Sequence, residues 1–403
     1  MTEQAGPSGG PLSGVNVVEF AQVIAGPLCG TLMADLGADV IHVEAPTGGD
    51  SARHMGPTKD GHPLWWKVLG RNKRSITLDM RAETAEEIVR RLVRWADVVI
   101  VTFRASTVEK FHLDWDSVRA VNPSAVLLQV SGYGATSSLR DAPGLGKMGE
   151  ARSGVVHLTG FPDGPPVHTG FSHGDASTGL MGAFAVCAAL VRRNAHLERA
   201  GEWIDLALFE PLFRLVEWQL VVADQLGVAP VRSGNALAVA PAAVIGCYPS
   251  ADGDWVTITS ATPRSVLNIL RLLGLDSEEM RDIAVQRARR DEIDAALAAW
   301  IAARPTEDAI RELVDAEVVA SKVYDAEDIL NDQIYAERAD IVTVEDPDLG
   351  PVRMQAALPH FRTDPGSVWR TGPALGADND LVYRDWLGLD ADEVERLRED
   401  GTI

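Results

Sequence analysis

The sequence predicts an α/β protein: a large domain built on a doubly wound, largely parallel sheet, followed by a smaller α+β domain. Three observations predict it. Apolar runs of strand length alternate with helical patterns from residue 15 to residue 132. The texture changes after the apolar segment 204–227, where a strand, a D-G turn and a second strand lead into helices. A chain of 403 residues with 46% hydrophobic content is also long enough to bury two cores.

In order, VNVVEF (15–20) reads as a buried strand, GPLCGTLMADLG (26–37) as a helix and ADVIHVE (38–44) as the next strand, a β-α-β unit. SITLDM (75–80), the amphipathic AETAEEIVRRLVRWA (82–96), DVVIVTF (97–103), a helix near 107–121 and AVLLQVSG (125–132) repeat the alternation. The first turn reads AQVIAGP and lacks the G-x-G-x-x-G fingerprint, so NAD is not the expected ligand. GFSHGDASTGLMGAFAVCAALVRR (170–193) sets Asp175 in front of an apolar helical pattern, where an N-cap would stand, with Gly174 as the turn. Further on, GCYPSADGDWVTITS (246–260) reads as strand, turn and strand. TPRSVLNILRLLGL (262–275), EIDAALAAWIAAR (292–304) and TEDAIRELVDA (306–316) read as helices. Short strands from Val342 and a last amphipathic helix, ADEVERLRED (391–400), follow.

Charge narrows the function. Lys and Arg total 37 against 58 Asp and Glu, a formal net charge of −21, which argues against nucleic acid and anionic membrane as partners. An anionic ligand would need local basic residues. The opening MTEQAGPSGGPLSG lacks the basic start and apolar core of a signal peptide, and a cytoplasmic protein is expected. Cys29, Cys187 and Cys247 match no metal-ligand spacing and read as free thiols, and the nine histidines form no zinc motif, so no metal is expected.

The motifs PLSGVNVVEFAQVIAGPLCGTLMADLGADVIHVEAP, RNKRSITLDM, VSGYG, HGDASTGL, YPSADGDWVTI, DAEDILNDQ and PALGADNDLVYRDWLGLDADEVERLREDGTI run through almost the whole chain. In this order they resemble the class III coenzyme A transferase family, which also contains 2-methylacyl-CoA racemases. The resemblance implies a Rossmann-like large domain formed by both chain ends, a small domain between them and an interlocked homodimer. On this sequence the large domain would take 1–203 and 336–403, the small domain 228–335, and a connector 204–227 whose apolar character suits burial against a partner subunit.

The resemblance also implies chemistry. Asp175, in the G-D-x-x-T-G context, falls on the family's nucleophile, which attacks the thioester of an acyl-CoA and passes CoA to a carboxylic acid through anhydride and aspartyl thioester intermediates. Arg104, ending the strand DVVIVTF, matches a CoA-contacting arginine. Asn72, Lys73 and Arg74 suit the adenine and 3′-phosphate end of CoA, against the alternative of a solvated basic loop. Gln22 and Val23, in the first βα turn, correspond to residues lining the thioester pocket, and Lys147 and Glu150 are candidates to support the nucleophile. Coenzyme A enters as a substrate, with neither metal nor NAD.

Two departures matter. The racemases carry a histidine after the VSGYG region; here GLGKMGEARSG (144–154) puts Leu145 at that position, and leucine transfers no proton. His168 and His173 remain as turn or surface histidines, with an approach from elsewhere left open to them. The glycine-rich lid of the oxalate-type transferases is replaced by SGNALAVAPAAVIG (233–246), whose apolar character points to an acyl group other than a simple small diacid. A racemase and a non-catalytic CoA-binding homologue are the alternatives to the transferase.

Overall fold

The computed structural model describes residues 9–237, 239, 240 and 242–403. The chain divides into two compact units. The larger takes residues up to 155, 169–217 and 334–403, and the smaller takes 156–168 and 218–333.

The larger unit is built on six strands: β1 (Asn16–Phe20), β2 (Asp39–Glu44), β3 (Arg74–Thr77), β4 (Val98–Val101), β5 (Val126–Ser131) and β6 (Glu202–Ala207). Every pairing is parallel, and the order is β3-β2-β1-β4-β5-β6. Alternate residues serve opposite faces, as a pleat demands. Val18, Phe20, Val99, Val101 and Leu127 enter one core, whereas Val17, Val98, Ile100, Val126 and Leu128 enter the other. A sheet buried on both faces explains why these strands read as unbroken apolar runs.

Helix α1 (Ala25–Asp35) covers one face. Helix α2 (Leu64–Leu69) follows β2, and helix α3 (Ala85–Trp95) covers the opposite face. Beyond β5 come α4 (Gly146–Arg152) and the long α5 (His173–Ala195), which packs on α1. Gly179 lets it approach α1, since a side-chain carbon there would lie 2.9 Å from Leu28 Cβ, and Gly182 lets it approach the sheet, since one there would lie 2.9 Å from Leu128 Cδ2 of β5. Among the described residues α5 is the one helix long and apolar enough to span a membrane by length and composition.

The C-terminal segment returns to the larger unit and closes the edge of the sheet. Strand β3 has a partner on one side only, and the Asp378 and Asn379 side chains accept from the Ser75 and Thr77 N–H groups, both at 2.9 Å. Tyr383 Oη donates to the Thr77 carbonyl at 2.6 Å. Side chains thus take the place of a seventh strand.

The segment expected to be a connector begins inside the sheet, since Glu202–Ala207 is its sixth strand. Helix α6 (Trp218–Leu226) opens the second part of the smaller unit and buries none of its residues. There β7 (Val244–Pro249), β8 (Trp255–Ser260) and β9 (Ala320–Lys322) form an antiparallel sheet in the order β9-β8-β7, with the D-G turn formed at Gly253 (φ +93°). Helices α7 (Pro263–Leu272), α8 (Arg290–Ala302) and α9 (Thr306–Asp315) supply its core with Ile269, Leu297 and Leu313. An apolar cleft of about 660 Å³ in this unit is lined by Ala240, Ala242, Ala243, Val266 and Ile283; positions 238 and 241 of the alanine-rich stretch lie outside the described residues.

Candidate active site

The strand order reverses between β1 and β4, and in open α/β sheets ligands gather beyond the carboxyl ends of strands at such a point. Gln22 and Val23 follow β1 there, and Arg104 follows β4. The two turns are tied together, because Gln22 N donates to Thr102 Oγ1 at 3.1 Å. A cleft of about 540 Å³ at this edge is lined by Thr102, Arg104, Ser131, Arg140 and Leu145 among others. Arg140 is paired with Glu109 at 2.9 Å and Asp141 at 3.5 Å. Among the described residues no acid is ion-paired with the exposed Arg104.

Asp175 belongs to the first turn of α5 and is not its cap. The N-cap is Ser172, whose side chain makes no capping bond, and His173 and Gly174 are already helical. Gly174 is present for close approach, since a side-chain carbon there would lie 2.5 Å from the Gly146 carbonyl oxygen. Capping falls to a different acid: the buried Glu150, from α4, accepts from Gly174 N–H at 3.1 Å. Lys147 Nζ donates to both Glu150 oxygens at 3.0 Å and to the carbonyls of Thr169 and Phe171 at 3.0 and 2.8 Å, pinning the chain that leads into the helix.

This arrangement leaves the Asp175 carboxylate free. Among the described residues no donor hydrogen-bonds to it, and it presses directly on Gly146, where any side-chain carbon would overlap its oxygens. Burial and the Glu150 charge raise its pKa to about 6, and Lys147 opposes them. The carboxylate is half-buried and weakly solvated, which makes it a better nucleophile than a capped one. Leu145, exposed at the start of α4, stands next to Gly146. His173 is a helical residue whose ring is tilted at 40° to that of Phe171, 5.2 Å away, and the charges that act on Asp175 are those of Glu150 and Lys147.

The basic run 72–74 is neither solvated nor gathered at this edge. Asn72, Lys73 and Arg74 are all buried. Asn72 bonds Asp35 and the Ser367 carbonyl and accepts from Trp369 N–H, while Arg74 lies over the rings of Trp369 and Trp386. Both precede β3 or open it and so lie at the amino-terminal edge of the sheet, opposite Gln22 and Arg104. Lys73 reaches inward to Glu19 and the Pro27 carbonyl. Sequence reasoning passed over Gly146, and it read Glu19 and His42 only as members of apolar strands, although a charge in such a strand is a visible signal.

Comparison with known proteins now decides the family. The family model described as CoA-transferase family III matches residues 12–379. The chain belongs to this family. It is 37% identical over 396 residues to the succinyl-CoA–D-citramalate CoA-transferase of Chloroflexus aurantiacus, covering 96% of this chain and 97% of that one. It is 32% identical to the succinyl-CoA–L-malate CoA-transferase beta subunit of the same organism, covering 98% of each. The crystal structure of a CaiB/BaiF family protein from Brucella suis superposes with a TM-score of 0.80 at 31% identity, covering 94% of this chain and 99% of that one. As a family III CoA-transferase, the protein has acyl-CoA as substrate.

A pH dependence follows from the Asp175 environment. A carboxylate acts as a nucleophile only when ionised, so any step in which Asp175 attacks is expected to slow as the pH drops through about 6. Glu150→Gln removes the adjacent negative charge and should move this acid limb to lower pH in a kcat/KM profile for acyl-CoA. A limb unmoved by that substitution would assign it to another group.

Proposed function

We propose that the enzyme moves CoA from the thioester of a small dicarboxylic acid to a carboxylic acid acceptor, with Asp175 as the nucleophile. The observation that carries this reading is the Asp175 carboxylate itself, half-buried and without a donor among the described residues, because Glu150 takes the capping role. An Asp175 oxygen attacks the thioester carbonyl and expels CoA thiolate, leaving a mixed anhydride. The thiolate attacks the aspartyl carbon and releases the donor carboxylate, so that CoA is now held as an aspartyl thioester. The acceptor carboxylate displaces the thiolate to form a second anhydride, and the returning thiolate attacks its acyl carbon and frees Asp175. No net proton is consumed. The dipole of α5, positive at its start, favours the oxyanions.

Succinyl-CoA is the donor we infer, because both Chloroflexus relatives are named for it. Identity over the whole chain outweighs the earlier inference from the alanine-rich stretch. Arg104 is the residue assigned to CoA phosphate. Arg104→Ala should weaken acyl-CoA binding by about 1–3 kcal/mol with a smaller effect on the chemical step, read as KM against kcat. An unchanged binding constant would move the phosphates elsewhere.

The working form we infer is the interlocked homodimer. Helix α5 leaves Leu180, Phe184 and Val191 more than half exposed along one face, and α6 leaves Leu220, Val221 and Leu226 more than half exposed around its circumference.

The test is exchange of labelled succinate into succinyl-CoA, with mass analysis of a trapped Asp175 adduct. Ping-pong kinetics and exchange without α-carbon deuterium uptake in deuterated water are expected, since Leu145 offers no second base. Deuterium uptake with no acceptor requirement would favour the racemase instead.

A further inference from the structure

Buried charge is concentrated where β1 and β2 run side by side. Glu19, His42 and Glu44 stand among the buried apolar residues of these strands and are at most 4% exposed. His42 lies between two carboxylates, with Nδ1 2.6 Å from Glu19 Oε1 and Nε2 3.2 Å from Asp50 Oδ2. Glu19 also takes Lys73 Nζ at 2.5 Å. Glu44 takes the Arg53 guanidinium at 2.6 and 2.7 Å and the Asp50 N–H at 2.8 Å. Three carboxylates, Glu19, Glu44 and Asp50, thus meet Lys73, Arg53 and an imidazole that completes the balance only when protonated.

One end of this network reaches the site. Both Asp50 oxygens lie 3.0 Å from Val23 N, and Oδ1 accepts from Ala52 N–H at 2.8 Å. Val23 has φ +66°, a region that a β-branched residue occupies only where its surroundings hold it there. The Asp50 carboxylate is what holds it. The same turn presents Gln22 at the point where the strand order reverses.

We propose that His42 is a positioning residue for CoA transfer: wedged between Glu19 and Asp50, it keeps Asp50 on the Val23 amide and so locks the strained Gln22–Val23 turn beside the reacting thioester. The proposal rests on the reading that this turn lines the thioester site. At 1% exposure His42 acts through Asp50 and Val23 and does not meet substrate itself.

The groups facing His42 give it a signature. Glu19 of β1, with Lys73 behind it, and Asp50 of the following loop flank the ring, and Glu44 of its own strand, with Arg53, adds negative charge. Trp66 of α2 lies 5.5 Å from it, ring to ring, and the Cys29 thiol of α1, near Glu19, is pushed up out of range by burial. Burial pulls the His42 pKa down, but the carboxylates outweigh it and raise the value to about 9.

The experiment is a pH profile of succinate exchange into succinyl-CoA for the wild type, Asp50→Asn and His42→Gln. In the wild type kcat should fall as the pH rises through about 9. Asp50→Asn keeps an amide oxygen for the Val23 N–H but removes the counter-charge, so the alkaline limb should move down by about one pH unit or more. His42→Gln should lose that limb and about tenfold in kcat at neutral pH, with KM for succinyl-CoA changed less. Substrate titration is common to all three proteins, so only their differences count. If His42→Gln fails to fold, Asp50→Asn carries the comparison. A wild-type profile flat to about pH 10, or coincident profiles for wild type and Asp50→Asn, overturns the proposal while leaving the transferase reading intact. No exchange by the wild type at any pH overturns both, and does so before any substitution is made.

Discussion

Asp175→Ala is expected to lower CoA transfer by about 10³-fold or more, while the variant still binds CoA. The neighbouring Glu150 offers no substitute carboxylate, because it is buried and committed to Lys147 and the Gly174 amide. The same position should show an inverse effect on stability. An Asp whose folded pKa is raised from 3.8 to about 6 binds its proton more tightly when folded. Ionised Asp175 therefore costs stability, fully above pH 6 and not at all below about 4. Asp175→Asn should raise the unfolding free energy by about 1 kcal/mol at about pH 8, after allowance for solvent screening, and the gain should vanish at low pH. Near-normal turnover by the alanine variant would remove Asp175 as nucleophile. A destabilised asparagine variant would mean that unseen donors satisfy the carboxylate.

Gly146→Ala is expected to cost about 10²-fold in kcat with little change in secondary structure. Its new methyl would occupy the space of the Asp175 oxygens, so the carboxylate must swing away from the position proposed for attack. A displacement of about 1 Å is enough for a loss of this size. The backbone at 146 is helical and accepts alanine without strain, so the loss would come from the clash and not from the turn. Retained activity would show that Asp175 attacks from a different rotamer.

Much of the large sheet was legible because its strands are apolar on both faces, and five of the six stood out as runs such as VVIV and VLLQVS. The sixth, EWIDLA, mixes polar residues into the run and was absorbed into the apolar segment after it. Asp175 stood out in the sequence through its motif, but its place inside the helix did not. Gly174 reads locally as a turn, yet it is helical, and it is glycine because a side chain there would meet the Gly146 carbonyl. The burial of the basic run 72–74 was hidden for a related reason. Its side chains answer Glu19, Asp35 and Asp378, of which the nearest in sequence is 37 positions away and the farthest lies close to the other end of the chain. No local pattern records such pairings. Gln22, Val23 and Arg104 came together because sheet topology alone brings them there.

The side chains that finish strand β3 bear on how the protein is made. Ser75 receives its Asp378 partner across 303 residues, and Thr77 its Asn379 partner across 302. A ribosome adding about 5–20 residues per second needs about 15–60 s to cover that span. Through this interval the nascent sheet has one raw flank, while the whole smaller unit is still being threaded out between the strand and its finishing segment. Emergence of Asp378 and Asn379 is therefore the event that seals this flank of the sheet. A chain stopped short of Asp378 would leave the ribosome with an adhesive strand in place of a finished border.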